Sequence, residues 1–158
     1  MKDDILSHEL EALEMMVKDM IRNEQDISPM FVLFTNEKQI IIMSGWADEY
    51  EKKVIMNKVA EIAKLHQATA YSFLTEIWYV SKTIGEEIKV QPSKDPSRKE
   101  AVMICVKKAL EKEIVKIYDI DRKEKVIIES ESFEEGAIEN YLLSDLQNII
   151  SDNEVLKN

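Results

Sequence analysis

One cysteine, two histidines, three glycines and three prolines among 158 residues leave little from which to build the commoner catalytic sites. A lone Cys105 excludes an intramolecular disulfide and a cysteine-rich zinc site. Inside the apolar run AVMICV it reads as a small hydrophobe. His8 and His66 stand on separate segments, so no HExxH or HxH pair is available for zinc, and there is little scope for a histidine-based nucleophile triad. Gly45, Gly85 and Gly136 are scattered, whereas a Walker A loop or a GxGxxG turn needs clustered glycines to bring backbone N–H groups onto phosphate. Long apolar runs are missing too. None approaches the roughly 20 residues that span a bilayer, and MKDDILSHELEALEMM opens on acids where a signal peptide has a basic start and an apolar stretch. The expectation is a cytoplasmic protein with no membrane contact, no metal and no cofactor.

The chain is of a length for one domain, residues 1–158. Apolar residues make up 45% and charged residues 33%, enough of the first to fold and more of the second than the usual quarter. The net charge of −10 is uneven: residues 1–28 hold three bases and eight acids, residues 126–158 one base and eight acids, and residues 29–125 seventeen bases and fifteen acids. Acidic ends on a near-neutral middle read as solvated helix faces, or as surfaces for contact with another copy or a basic partner.

Leu6, Leu10, Leu13, Val17 and Met20 recur at spacings of three and four, which predicts an amphipathic helix over residues 3–22. Met30–Phe34 and Gln39–Met43 flank a polar turn and read as a hairpin, with Pro29 at its entrance. Asp48 and Glu51 have capping-box spacing before a helix whose inner face is Ile55, Val59, Ile62 and His66. Residues 68–80 form the most strongly β-forming segment, with Tyr71, Phe73, Thr75, Ile77 and Tyr79 on one face and Leu74, Glu76 and Trp78 on the other. Residues 82–99 lack a period. Strands at Glu100–Lys107, Glu113–Asp121 and Lys125–Glu129 follow with short connections, a meander of antiparallel neighbours. Ser132 and Glu135 then have capping-box spacing before a helix presenting Ile138, Leu142, Leu146 and Ile149. The order α-β-β-α-β-(long loop)-β-β-β-α predicts an α+β fold, a sheet of about six strands, antiparallel or mixed, with three helices covering one face.

Glu76 is the odd residue of its strand, since a carboxylate on a packed face needs a partner. The following loop supplies Pro92, Ser93, Asp95, Pro96 and Arg98, and Glu100 opens the next strand. If those strands pair antiparallel, Arg98 returns across the Trp78 face, and an Arg98–Glu76 fork with Trp78 beneath the guanidinium would satisfy all three. Glu76, Trp78, Pro92, Ser93, Pro96, Arg98 and Glu100, within residues 70–106, resemble an uncharacterised family of bacteria, archaea and phages in which a Glu-x-Trp strand precedes a Pro-Ser-x-x-Pro-x-Arg-x-Glu segment. The resemblance implies no particular activity.

Glu76, Arg98 and Glu100 are therefore the catalytic candidates, and Trp78, Ser93, Asp95 and Arg98 the binding candidates. Asp119, Asp121 and Glu124 with Lys116 or Lys125 are the nearest approach to a carboxylate site for Mg²⁺, at a spacing that fits no nuclease motif. Residues 94–125 carry ten bases but one aromatic, Tyr118, a weak signal for nucleic acid. The expected function is a non-enzymatic protein-interaction or assembly module, bound to a protein partner or to itself. The alternatives are a small hydrolase or nuclease using the Glu/Arg site, and a weak nucleic-acid-binding module.

Overall fold

The computed structural model describes residues 4–80, 84–87, 94, 96–134 and 143–157, with the side chains of residues 4, 5, 130–134 and 157 left aside. The elements are α1 (Asp4–Arg22), β1 (Met30–Phe34), β2 (Gln39–Met43), α2 (Glu49–Leu65), β3 (Ala70–Tyr79), β4 (Lys99–Lys108), β5 (Ile114–Asp121), β6 (Val126–Glu134) and α3 (Ser144–Lys157). The six strands form one sheet in the order β2-β1-β3-β4-β5-β6, and every neighbouring pair is antiparallel. The chain is thus α+β. None of its described helices is long and apolar enough to cross a membrane.

Helices cover both faces of the sheet, not one. Leu6, Leu13, Val17 and Ile21 of α1 join Ala70, Leu74, Val102, Ile104 and Val106 on the first face. Val59 and Ala63 of α2 and Leu146 and Ile150 of α3 join Phe31, Leu33, Tyr71, Phe73 and Cys105 on the second. The reason lies in the central strands, because β3 and β4 are apolar at consecutive positions and a strand with two apolar faces needs two covers. Phe31 and Phe73 stack at 4.4 Å between centroids on the second face, an arrangement worth about 1 kcal/mol beyond burial.

Local chemistry sets the element ends. The Asp48 carboxylate accepts from the Glu51 N–H at 2.8 Å, and Glu51 accepts in return from the Ala47 N–H at 3.2 Å, so α2 starts where the capping spacing placed it. Ser132 is not a helix cap: it stands in β6 opposite Lys116, in extended backbone that continues the β5–β6 ladder to Glu134 instead of turning into a helix. A register shift opposite Ile117 and Tyr118 keeps that ladder running to Glu134. Ile138 and Leu142 lie outside the described residues. In α3 it is Leu146 and Ile150 that are fully buried.

Two polar groups are built into the second face. The Tyr71 hydroxyl donates to the Glu113 carboxylate, and the Gln147 side-chain amide donates to both, at 3.2 and 2.9 Å. Burial, then the Glu113 charge, pushes the Tyr71 hydroxyl far above its ordinary range. Asn153 donates to the carbonyls of Ala63 and Ala68 at 3.3 and 2.9 Å, pinning α3 to the end of α2 and the chain entering β3.

Candidate functional site

Side-chain parity places the sequence candidates. Trp78 is opposite Glu100 in the β3–β4 register and Glu76 is opposite Val102, so all three share the face that α1 covers. Extending the β4–β5 register from Ala101 opposite Asp119 sets Ile120 across from Glu100, with Arg122 one step further along the same face. They gather where the Lys125–Glu24 ion pair, at 3.3 Å, ties the β5–β6 turn to the chain just after α1.

The guanidinium on this patch's carboxylates belongs to Arg122. Its Nε donates to both Glu100 oxygens at 3.0 and 3.2 Å, and its Nη2 donates to Glu76 at 3.0 Å and also to Glu100. Arg98 takes the other half of the expected arrangement: its guanidinium carbon lies 4.8 Å from the centre of the Trp78 ring. The expected three-way contact is thus divided between two arginines. Parity along β5 could have pointed to Arg122, but the turn DRKE masks it in a sequence. Arg98 is exposed and lines neither of the two clefts described below. Ser93, Asp95 and Pro92 lie outside the described residues.

The two carboxyls titrate differently. Burial, followed by the neighbouring Glu100, raises Glu76 to about 7 against the opposing pull of Arg122. For Glu100 burial also acts upward, but hydrogen bonds from Arg122 and Glu76 outweigh it and hold the group below the ordinary carboxylate range. Below about pH 7 the pair therefore carries a proton on Glu76 that is donated to an ionised Glu100, with Arg122 clamping both. An arrangement of this kind can give and take a proton.

The carboxylates considered for Mg²⁺ are dispersed. Asp119 accepts from the Tyr79 hydroxyl at 2.6 Å and Asp121 accepts from the Glu124 N–H at 3.0 Å. Lys116 sits by parity on the opposite face of β5 from these aspartates and pairs with Glu14 and Glu129. No group of three or more metal-ligating side chains occurs among the described residues. Two clefts can be described. One of about 270 Å³ is lined mainly by apolar groups, Ile27, Pro29, Trp46, Phe73, Ile77 and Met103, with Lys52 over Trp46. The other, of about 230 Å³, lies among Thr35–Lys38, His66 and Gln67. Both are smaller than the roughly 300 Å³ at which small-molecule pockets begin.

A second feature is set by topology. β2 and β6 are the two edges of the sheet, and they differ. Edge β6, VIIESESFE, contains Glu129, Glu131 and Glu134, whereas edge β2, QIIIM, contains no charge at all. On β2, Ile41 and Met43 are 61% and 62% exposed. Charges on an edge strand oppose pairing with another chain, and a short apolar edge without them permits it. Comparison with protein-family models, with curated proteins and with solved structures gives no match for this chain.

Proposed function

We propose that this chain is a non-enzymatic protein-interaction and assembly module that acts by extending its sheet at β2. The observation that carries the reading is the contrast between the edges: β2 offers outward main-chain groups beside exposed Ile41 and Met43 and has no charged residue, while the sequence of β6 includes Glu129, Glu131 and Glu134. The basic residues of the middle segment support it indirectly, since Lys116, Arg122 and Lys125 are engaged by internal carboxylates and have less to offer a phosphate backbone. The test is a photo-reactive amino acid at position 43, compared with the same probe at exposed position 61 on α2. A protein adduct specific to position 43, lost when Ile41→Lys is added, is expected. Equal or absent labelling at the two positions overturns the reading.

A second reading, a small hydrolase or nuclease, is favoured by one observation: Glu76 holds a proton to about pH 7 beside an ionised Glu100. In it Glu76 is the acid, Glu100 the base and Arg98 the recogniser of an anionic group. A panel of carboxylic and phosphate esters decides it. Turnover lost in both Glu76→Gln and Glu100→Gln supports the enzyme, and no turnover by the unmodified chain removes it.

A further inference from the structure

Resting on the reading of β2 as an interaction edge, we propose that its occupant is a second copy of the same chain, paired antiparallel about Ile41 so that two sheets become one across a two-fold axis. The phase of the β1–β2 hairpin decides which groups are available. Thr35 N–H donates to Lys38 O at 2.9 Å and Ser44 N–H donates to Pro29 O at 3.2 Å. With Leu33 opposite Ile40 and Phe31 opposite Ile42, the even-numbered residues of β2 therefore turn their main-chain groups towards β1. Gln39, Ile41 and Met43 turn theirs outward. A two-fold register centred on Ile41 sets Ile41 against Ile41 and Gln39 against Met43 of the other copy, so every outward N–H of the strand meets an outward carbonyl.

The side chains agree with that register. Ile41 and Met43 lie on the same sheet face as Val32 and Met30, and pairing sets Ile41 against its own copy at the axis with the two Met43 side chains diagonal to it, each opposite a Gln39. No like charges are brought together, because Lys38 of one copy falls opposite Ser44 of the other. The alternatives fail on the same grounds. β6 against β6 sets a strand with Glu129, Glu131 and Glu134 against another of its kind, and β2 against β6 sets those glutamates beside isoleucines and propagates into an open filament. Pairing of β2 with β2 closes.

A strand pair this short buries less than the roughly 1,200 Å² of a stable interface, which makes the dimer a weak one. Two chains of charge −10 also repel, so salt should strengthen the pairing. The experiment is sedimentation of the full chain from about 1 to 500 μM, at about 0.1 and 0.5 M salt, for the unmodified chain, Ile41→Lys, Ile41→Glu and an equimolar mixture of the two variants. The expected result is a reversible rise from 18.4 kDa to twice that mass, absent in each variant alone and restored in the mixture, where opposite charges meet on the axis. Slower amide exchange at Ile41 as concentration rises is the parallel readout, and it needs no substitution. A monomer at every concentration, a dimer that persists in both single variants, or open-ended aggregation overturns the proposal. If the chain stays monomeric but position 43 labels a different protein, self-pairing fails and the interaction reading stands; no labelling at position 43 ends both.

Discussion

Replacing Glu76 by Gln should flatten the dependence of stability on pH between 5 and 8. In the folded chain Glu76 keeps its proton to about pH 7, whereas the ordinary value is 4.5. Across that window the folded state binds the extra proton, so stability falls as pH rises and the loss is complete above about pH 7. The interval from 4.5 to about 7, at about 1.4 kcal/mol per pH unit, sets a ceiling of about 3.5 kcal/mol. Solvent reaches the side chain, which is 26% exposed, and Arg122 favours the ionised form, so about half the ceiling is expected. Glu100 works in the other direction. Its lowered value contributes stability above about 4.5 that disappears as the pH falls further, which is why the measurement stays above pH 5. Glutamine keeps the shape and, like the protonated acid, can donate to Glu100. Urea unfolding at pH 5, 6, 7 and 8, at one protein concentration, should show the unmodified chain losing about 1–2 kcal/mol more than Glu76→Gln over the range. Parallel profiles for the two proteins would refute the reasoning, because they would mean that Glu76 ionises as freely folded as unfolded.

The division of labour between the arginines gives a second prediction. Arg122→Met leaves two adjacent carboxyls without their clamp and should cost about 1–2 kcal/mol at pH 8 and less at pH 5, since Arg122 is 38% exposed. Arg98→Ala removes a stack on a ring that is 42% exposed and should cost about 0.5 kcal/mol or less while changing Trp78 fluorescence. Equal costs for the two would show that the carboxylates do not depend on Arg122. Asn153→Ala should cost about 1–2 kcal/mol in thermal or urea unfolding, because the buried Ala68 carbonyl loses the Asn153 amide while the Ala63 carbonyl keeps the Ala68 N–H; an unchanged midpoint would mean that water replaces it.

Local order was written in the chain. The limits of β1 and β2, the start of α2 and the apolar face of α1 follow from alternation, helical spacing and capping, all of which act within a few residues. The antiparallel meander followed from connection length. Glu76 and Trp78 announced themselves as a carboxylate and an indole in an otherwise apolar strand, and the stacking of Arg98 on Trp78 needed only the antiparallel return of β4. Where capping and strand pairing competed, as at Ser132, local spacing was misleading because the β5–β6 ladder reaches across some sixteen residues from Lys116.

What tertiary structure decided was which distant groups meet. Arg122 reaches Glu76 and Glu100 only because β5 lies beside β4 in a particular register, and no local pattern encodes a register between strands. The same holds for the edge. QIIIM would be an interior strand in another topology, and it faces outward here because β3 takes the other side of β1. By itself the sequence determined that β2 is a strand without charge. Only strand order left its outer side without a neighbouring strand among the described residues, and only hairpin phase chose Gln39, Ile41 and Met43 as the residues whose main chain points away from β1.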